Sequence, residues 1–151
     1  MPTFDTIEAA VAYVRQSVSE GLAGGVLRAV KKEEMAQVKT IVYDAYHPKY
    51  YKRRKDMNAP GNIVGTVDGL TLTVKNITPP NDEHLPQFRK NTPPPTTDKD
   101  LASVIETGVG YDWKEMGPRP FTQSTVDALA SSKAHVTALK KHLRSKGIRV
   151  V

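Results

Sequence analysis

The chain contains no cysteine, a single tryptophan and three phenylalanines in 151 residues. Missing thiols exclude disulfides, thiolate zinc sites and cysteine nucleophiles, so packing or association between subunits must supply the stability. No apolar run approaches the roughly 20 residues of a membrane-spanning helix, and the opening "MPTFDTIEAAV" lacks the basic flank and apolar core of a signal peptide. The expectation is a protein made and kept in a cytoplasm, with no membrane partner. A phosphate-cradling loop is also missing: "GLAGG", Gly21 to Gly25, has neither a strand before it nor the Lys-Ser/Thr of a nucleotide site. Four histidines are all that remain for imidazole chemistry. His135 and His142 stand seven apart on a predicted helix rather than at the four-residue spacing of a helical metal pair, which reads as surface placement. Asp44 with His47, or Asp82 and Glu83 with His84, offer acid/base groups, but no third ligand or nucleophile stands at a matching spacing. The expectation is a non-enzyme without metal or cofactor. A small hydrolase would require a titrating pair that only a folded cleft reveals.

A formal net charge of +6 and a pI near 9.5 suit a polyanionic partner or an acidic protein surface, and equally a plain solvated positive face. With 38% hydrophobic and 25% charged residues the chain should fold as one domain over 1–151, around one core. Ile7, Ala10, Val11, Val14 and Val18 fall at helical spacing from Thr3 to Ser19, with Thr3 or Thr6 as N-cap. After the flexible glycines, Leu27, Val30, Val38, Ile41, Val42 and Ala45 carry a second helix, with Lys31 to Glu34 as a solvated charged turn. Pro48 should end it by Tyr46. From Ile63 the period changes to alternation, and Asp68-Gly69 between the two runs predicts a hairpin with strands at Asn62 to Val67 and Leu70 to Ile77. Residues 78–100 hold six of the eleven prolines, and 78–98 in particular read as an extended loop or arm of the kind that reaches a neighbour. Leu101, Val104 and Ile105 form a short helix closed by Gly108. The last helix spans about Thr122 to Lys146 on Val126, Leu129, Val136, Leu139 and Leu143, stopped by Gly147, and "IRVV" could add an edge strand. The fold class is α+β: an antiparallel sheet with a β-hairpin, flanked by an N-terminal helical pair and a long C-terminal helix.

The stretch 43–55 interleaves Tyr43, Tyr46, Tyr50 and Tyr51 with Lys49, Lys52, Arg53, Arg54 and Lys55. Aromatic rings between cations suit stacking on single-stranded nucleic acid. The same residues suit a protein interface, because tyrosine pairs an apolar ring with a polar tip and arginine offers a planar fork to carboxylates. Composition does not choose between them, and tyrosines that merely anchor the second helix form a third reading.

The order "VYDAYHPKYYKRR", a hairpin, "IETGVGYDW", then "PRPFTQSTVDALASSKAHVTALKKHLRSKGI" resembles the tail-completion or head-to-tail joining (neck) proteins of long-tailed double-stranded DNA bacteriophages, the gene-product-ten-like family of lambdoid-type phages. Tyr46, Pro48, Tyr51 and Arg53 match a Tyr-x-Pro-x-x-Tyr-x-Arg element after a helix, and Pro118, Arg119, Pro120 and Phe121 match a Pro-Arg-Pro-Phe element before the last helix. The resemblance implies a non-enzymatic virion protein assembled in the host cytoplasm. It implies a homo-oligomeric ring, often of six copies, between head connector and tail tube or terminator proteins, close to packaged double-stranded DNA. Tyr46, Pro48, Tyr51, Arg53, Arg54, Arg119 and Phe121 are the residues expected at a subunit or partner interface, with Arg119 and Phe121 also positioning the last helix. The alternative is a basic nucleic-acid-binding protein that uses 43–55 directly.

Overall fold

An unbroken helical rod runs through residues 7–43 of the computed structural model, which describes residues 2–45, 55–79, 101–108 and 117–151. Thr6 starts it in extended conformation (φ −138°, ψ 158°), its Oγ1 accepting the Ala9 N–H at 3.1 Å. That is an N-cap, satisfying one of the first-turn donors. Helix α1 (Ile7–Gly21) passes into a π-helical turn at Leu22–Val26, then α2 (Leu27–Gln37), then a second π-helical segment at Val38–Tyr43. The Leu27 N–H reaches back to the Leu22 carbonyl, and the Asp44 N–H to that of Lys39 at 2.8 Å, each five residues away.

The expected flexible break between two helices is therefore absent. Gly21 serves close approach instead, and the partner is the C-terminal helix α5 (Ala134–Ser145). A Cβ at Gly21 would sit 2.8 Å from Leu139 Cδ1 and 3.0 Å from His142 Cδ2, nearer than neighbouring carbons pack. Beside this crossing the Tyr13 hydroxyl donates to the Lys146 carbonyl at 2.8 Å, and Glu20 Oε2 meets Lys146 Nζ at 2.7 Å. His142, expected on the surface, is half-buried here, with Nε2 4.0 Å from Glu20 Oε2.

Strands β1 (Ile63–Asp68) and β2 (Thr71–Asn76) pair antiparallel, in register from Ile63 opposite Asn76 to Asp68 opposite Thr71. The turn is Gly69-Leu70, one residue later than expected, because Asp68 is still paired. Gly69 takes φ +57° and Leu70 keeps an ordinary φ, the pattern of a two-residue hairpin turn that demands glycine at its first position. The hairpin lies against the rod where a Cβ on Gly65 would overlap the Leu27 side chain.

Helix α3 (Leu101–Thr107) ends at Gly108, φ +68°, as its sequence suggests. The single predicted C-terminal helix is two: α4 (Phe121–Ser132) and α5 are separated by Lys133 in the left-handed region (φ 54°, ψ 22°). Two serine hydroxyls stand beside the break. Ser131 Oγ donates to the Asp127 carbonyl at 2.9 Å, and Ser132 Oγ accepts the Ala134 N–H at 3.4 Å. Serine side chains compete in this way with helical backbone bonds. The bend lets α4 pack on α2 while α5 packs on α1 and the Leu22–Val26 turn. Gly147 (φ +77°) then closes α5 as expected, with Ile148 N–H on the Leu143 carbonyl and Gly147 N–H on that of Arg144, both 3.0 Å. "IRVV" forms no strand. Its carbonyls are occupied by side chains of α5, Val150 by Arg144 and Val151 by Lys140.

The main core collects at the Tyr43 end of the rod, where Val38, Val42, Met57, Ala102 and Phe121 are buried together, with Ile41, Tyr43, Leu101 and Ile105 packed around them. The molecule is α+β, helices at both ends of the chain and an antiparallel hairpin between, as the sequence implies.

Candidate functional site at the end of the rod

The rod ends where the chain departs three times. Ala45 and Lys55, Pro79 and Leu101, and Gly108 and Gly117 bracket residues 46–54, 80–100 and 109–116. The described residues beside these brackets meet in one place. The Tyr43 hydroxyl accepts the Met57 N–H at 3.1 Å, across the first interval. The Thr78 carbonyl accepts the Leu101 N–H at 3.2 Å, across the second. Across the third, Arg119 N–H donates to the Ile105 carbonyl at 3.0 Å, and a Cβ on Gly108 would stand 2.8 Å from Pro118 N. Each departure thus returns almost to its starting point, over the same buried cluster of Val42, Met57, Ala102 and Phe121.

Arg119 ties this end together. Pro120 has φ −76° and ψ 65°, and the Phe121 N–H donates to the Arg119 carbonyl at 2.8 Å, which is an inverse γ-turn. Proline suits it because its ring already fixes φ near that value. The turn aims α4, whose Thr122 N–H donates to Glu106 Oε2 at 3.0 Å, a carboxylate placed at the positive end of a helix. The Arg119 guanidinium donates to the Val42 carbonyl at 3.1 Å, a cation on the last turn of the rod, where carbonyls lack helical partners. Phe121 is 1% exposed, so its ring belongs to the chain's own core and acts by fixing where α4 begins. Arg119 is half-buried. Of the expected interface residues, Tyr46, Pro48, Tyr51, Arg53 and Arg54 lie outside the described residues, as do His47, the proline-rich stretch 80–100 and the Asp82, Glu83, His84 group.

A polar cluster underlies the same end. Asn76 Nδ2 donates to the Met57 carbonyl at 3.0 Å, while its Oδ1 accepts from the Thr78 hydroxyl at 2.6 Å and the Thr78 N–H at 3.2 Å. Glu34 is 7% exposed, contrary to the solvated turn expected for Lys31 to Glu34. Burial raises its carboxyl above the ordinary 4.5, a hydrogen bond from Asn76 opposes that rise, and the charge of Glu106 adds to it. Helical phase could have revealed Glu34: it lies four residues before Val38, on the stripe that continues through Val42. The arrangement fixes the backbone at the three chain departures by satisfied hydrogen bonds. Among the described residues, no group of three or more His, Asp or Glu side chains could hold a metal ion, and no helix is long and apolar enough to cross a membrane.

A family model described as YomN matches residues 6–145, from the N-cap of α1 to the last residue of α5. The SPbeta prophage-derived uncharacterized protein YomN of Bacillus subtilis (strain 168) is 28% identical over 153 residues, covering 95% of this chain and 96% of that protein. No solved structure matches.

Proposed function

The chain belongs to the YomN family, and from that premise we propose that it is a bacteriophage structural protein of the neck or tail, acting without catalysis to complete the tail and join it to the DNA-filled head. Its prophage-derived relative, matched over nearly its whole length, supports phage origin. The observation that carries the finer reading is the convergence of three chain departures on the end of a rigid, hydrogen-bonded body. One of them, 46–54, holds the tyrosine and arginine motif, and another, 80–100, holds five of the eleven prolines. In this reading the copies form a ring around the DNA path. Tyr46, Pro48, Tyr51, Arg53 and Arg54 meet a neighbour, and residues 80–100 reach the head connector, the tail tube or its terminator. Ring symmetry multiplies contacts that are weak singly.

The test is to disrupt the gene in an inducible phage that carries it and image the lysate by electron microscopy. Separate full heads and tails, joined again when purified protein is added, are the expected result. Fertile phage without the gene would refute the reading. Supplying Arg53→Glu with Arg54→Glu should fail to join particles, and joining that proceeds normally would remove that stretch from the interface. The net charge of +6 favours one second reading, direct binding of nucleic acid. It requires an affinity for DNA that falls steeply with salt and drops in Arg53→Ala with Arg54→Ala.

A further inference from the structure

The first helix carries an apolar stripe that its own chain leaves uncovered. Ile7, Val11 and Val14 are 79%, 46% and 40% exposed, and Val18 continues the line half-exposed. Their spacing alternates four and three residues, which is the a and d seam of a coiled coil, with Val11 and Val18 at a and Ile7 and Val14 at d. The side of α1 that the chain does cover is a neighbouring one, bearing Ala10, Tyr13, Ser17 and Gly21 toward α5. Along the open flank of the seam stand Glu8 and Arg15, both exposed and both at e positions. Neither makes a hydrogen bond or ion pair among the described residues. With Ile7, Val11 and Ala12 they line a shallow, mainly apolar depression.

We propose that this face pairs with the same face of a second copy, the two α1 helices running antiparallel about a two-fold axis. Antiparallel pairing sets a positions against d positions. Val11 then packs on Val14 of the second copy and Ile7 on Val18 of the second copy, each twice by symmetry. That register also brings Glu8 beside Arg15 of the second copy and Arg15 beside its Glu8. The apolar layers and the charges thus call for one alignment, which is the complementarity that selects a copy of this chain over an unrelated helix. A parallel pair would set these charges against the g positions Ala10 and Ser17, which carry none.

The seam is about three helical turns long and covers less than the roughly 800 Å² per partner of a standard interface. Pairing is therefore weak in dilute solution and consequential where copies are held close. A two-fold contact closes on itself, unlike the head-to-tail contacts that make a ring, so the pairing stands whether or not the chain joins heads to tails.

Sedimentation equilibrium of the intact protein from about 10 μM to about 1 mM tests it, on the unaltered chain, Glu8→Arg, Arg15→Glu and the double reversal. The unaltered chain should dimerise within that range. Each single reversal turns two attractive pairs into two repulsive ones and should weaken the dimer about tenfold, and the double reversal should return it to within about twofold. Circular dichroism checks that every variant keeps its helix. A monomer throughout, a dimer indifferent to Glu8→Arg, or a double reversal that fails to recover would each overturn the pairing. A ring that ignores all three variants would overturn it too, while leaving the neck reading in place.

Discussion

Replacing residues 81–98 by Gly-Asn should leave the protein folded and slightly more stable. The reasoning starts from the 3.2 Å hydrogen bond between the Leu101 N–H and the Thr78 carbonyl, which holds the two ends of the interval together. Closing an interval costs entropy that grows as three-halves RT times the logarithm of its length. Shortening it from roughly 22 residues to roughly 6 reduces that cost by about 1 kcal/mol. The buried residues on either side, Asn76, Thr78, Ala102 and Val104, all remain. Urea unfolding followed by circular dichroism should show a single transition with its midpoint raised and its slope little changed. In a thermal scan the gain corresponds to about 2–4 °C for a protein of this size. A loss of more than about 1 kcal/mol, or a broad transition, would refute the reasoning and place part of 81–98 in the core. The same variant should no longer dock in the head-to-tail joining assay, which separates folding from function.

Phe121→Ala removes the largest fully buried side chain among the described residues and should cost about 3–5 kcal/mol in chemical denaturation, with Phe121→Leu much milder. Lys133→Gly relieves a left-handed residue at the α4–α5 break and should stabilise by up to about 1 kcal/mol, whereas Lys133→Val should destabilise. Glu34→Gln concerns a carboxyl whose folded pKa is raised by burial above the unfolded 4.5. The stability it contributes is complete below pH 4.5 and falls away as pH rises through the folded pKa, because the native state then holds a proton it must give up. The Gln variant should therefore be the more stable at pH 8, and the difference should shrink in thermal melts taken toward pH 4.

The helices and the hairpin were legible because their periods differ and because Thr6, Gly69, Gly108 and Gly147 carry local signals that need no distant partner. What the sequence concealed depended on distant partners. "GLAGG" reads as a flexible break until Leu139 and His142 are seen to press on Gly21. The bend at Lys133 serves two docking surfaces at once, α2 for α4 and α1 for α5, and the two serines before it are too weak a local signal to place it. "KKEE" looks solvated on composition, yet helical phase carries Glu34 under the hairpin. For the candidate site, the Pro-Arg-Pro-Phe element was visible as a positioning device. Its contact, from Arg119 to the Val42 carbonyl 77 residues earlier, could not be read from spacing.

Each π-helical turn holds one residue more than an α-helix would use over the same stretch. At Leu22–Val26 that extra residue acts as a phase shifter: it rotates everything downstream by about 100° and lets α1 face α5 while α2 faces the hairpin and α4. Removing a single residue from this turn would restore ordinary helix and swing Leu27 off Gly65, even though no contact residue had been altered. A length difference of one residue among YomN-family chains at this point would thus be a change of architecture, whereas differences of many residues within 80–100 would leave the body as it is.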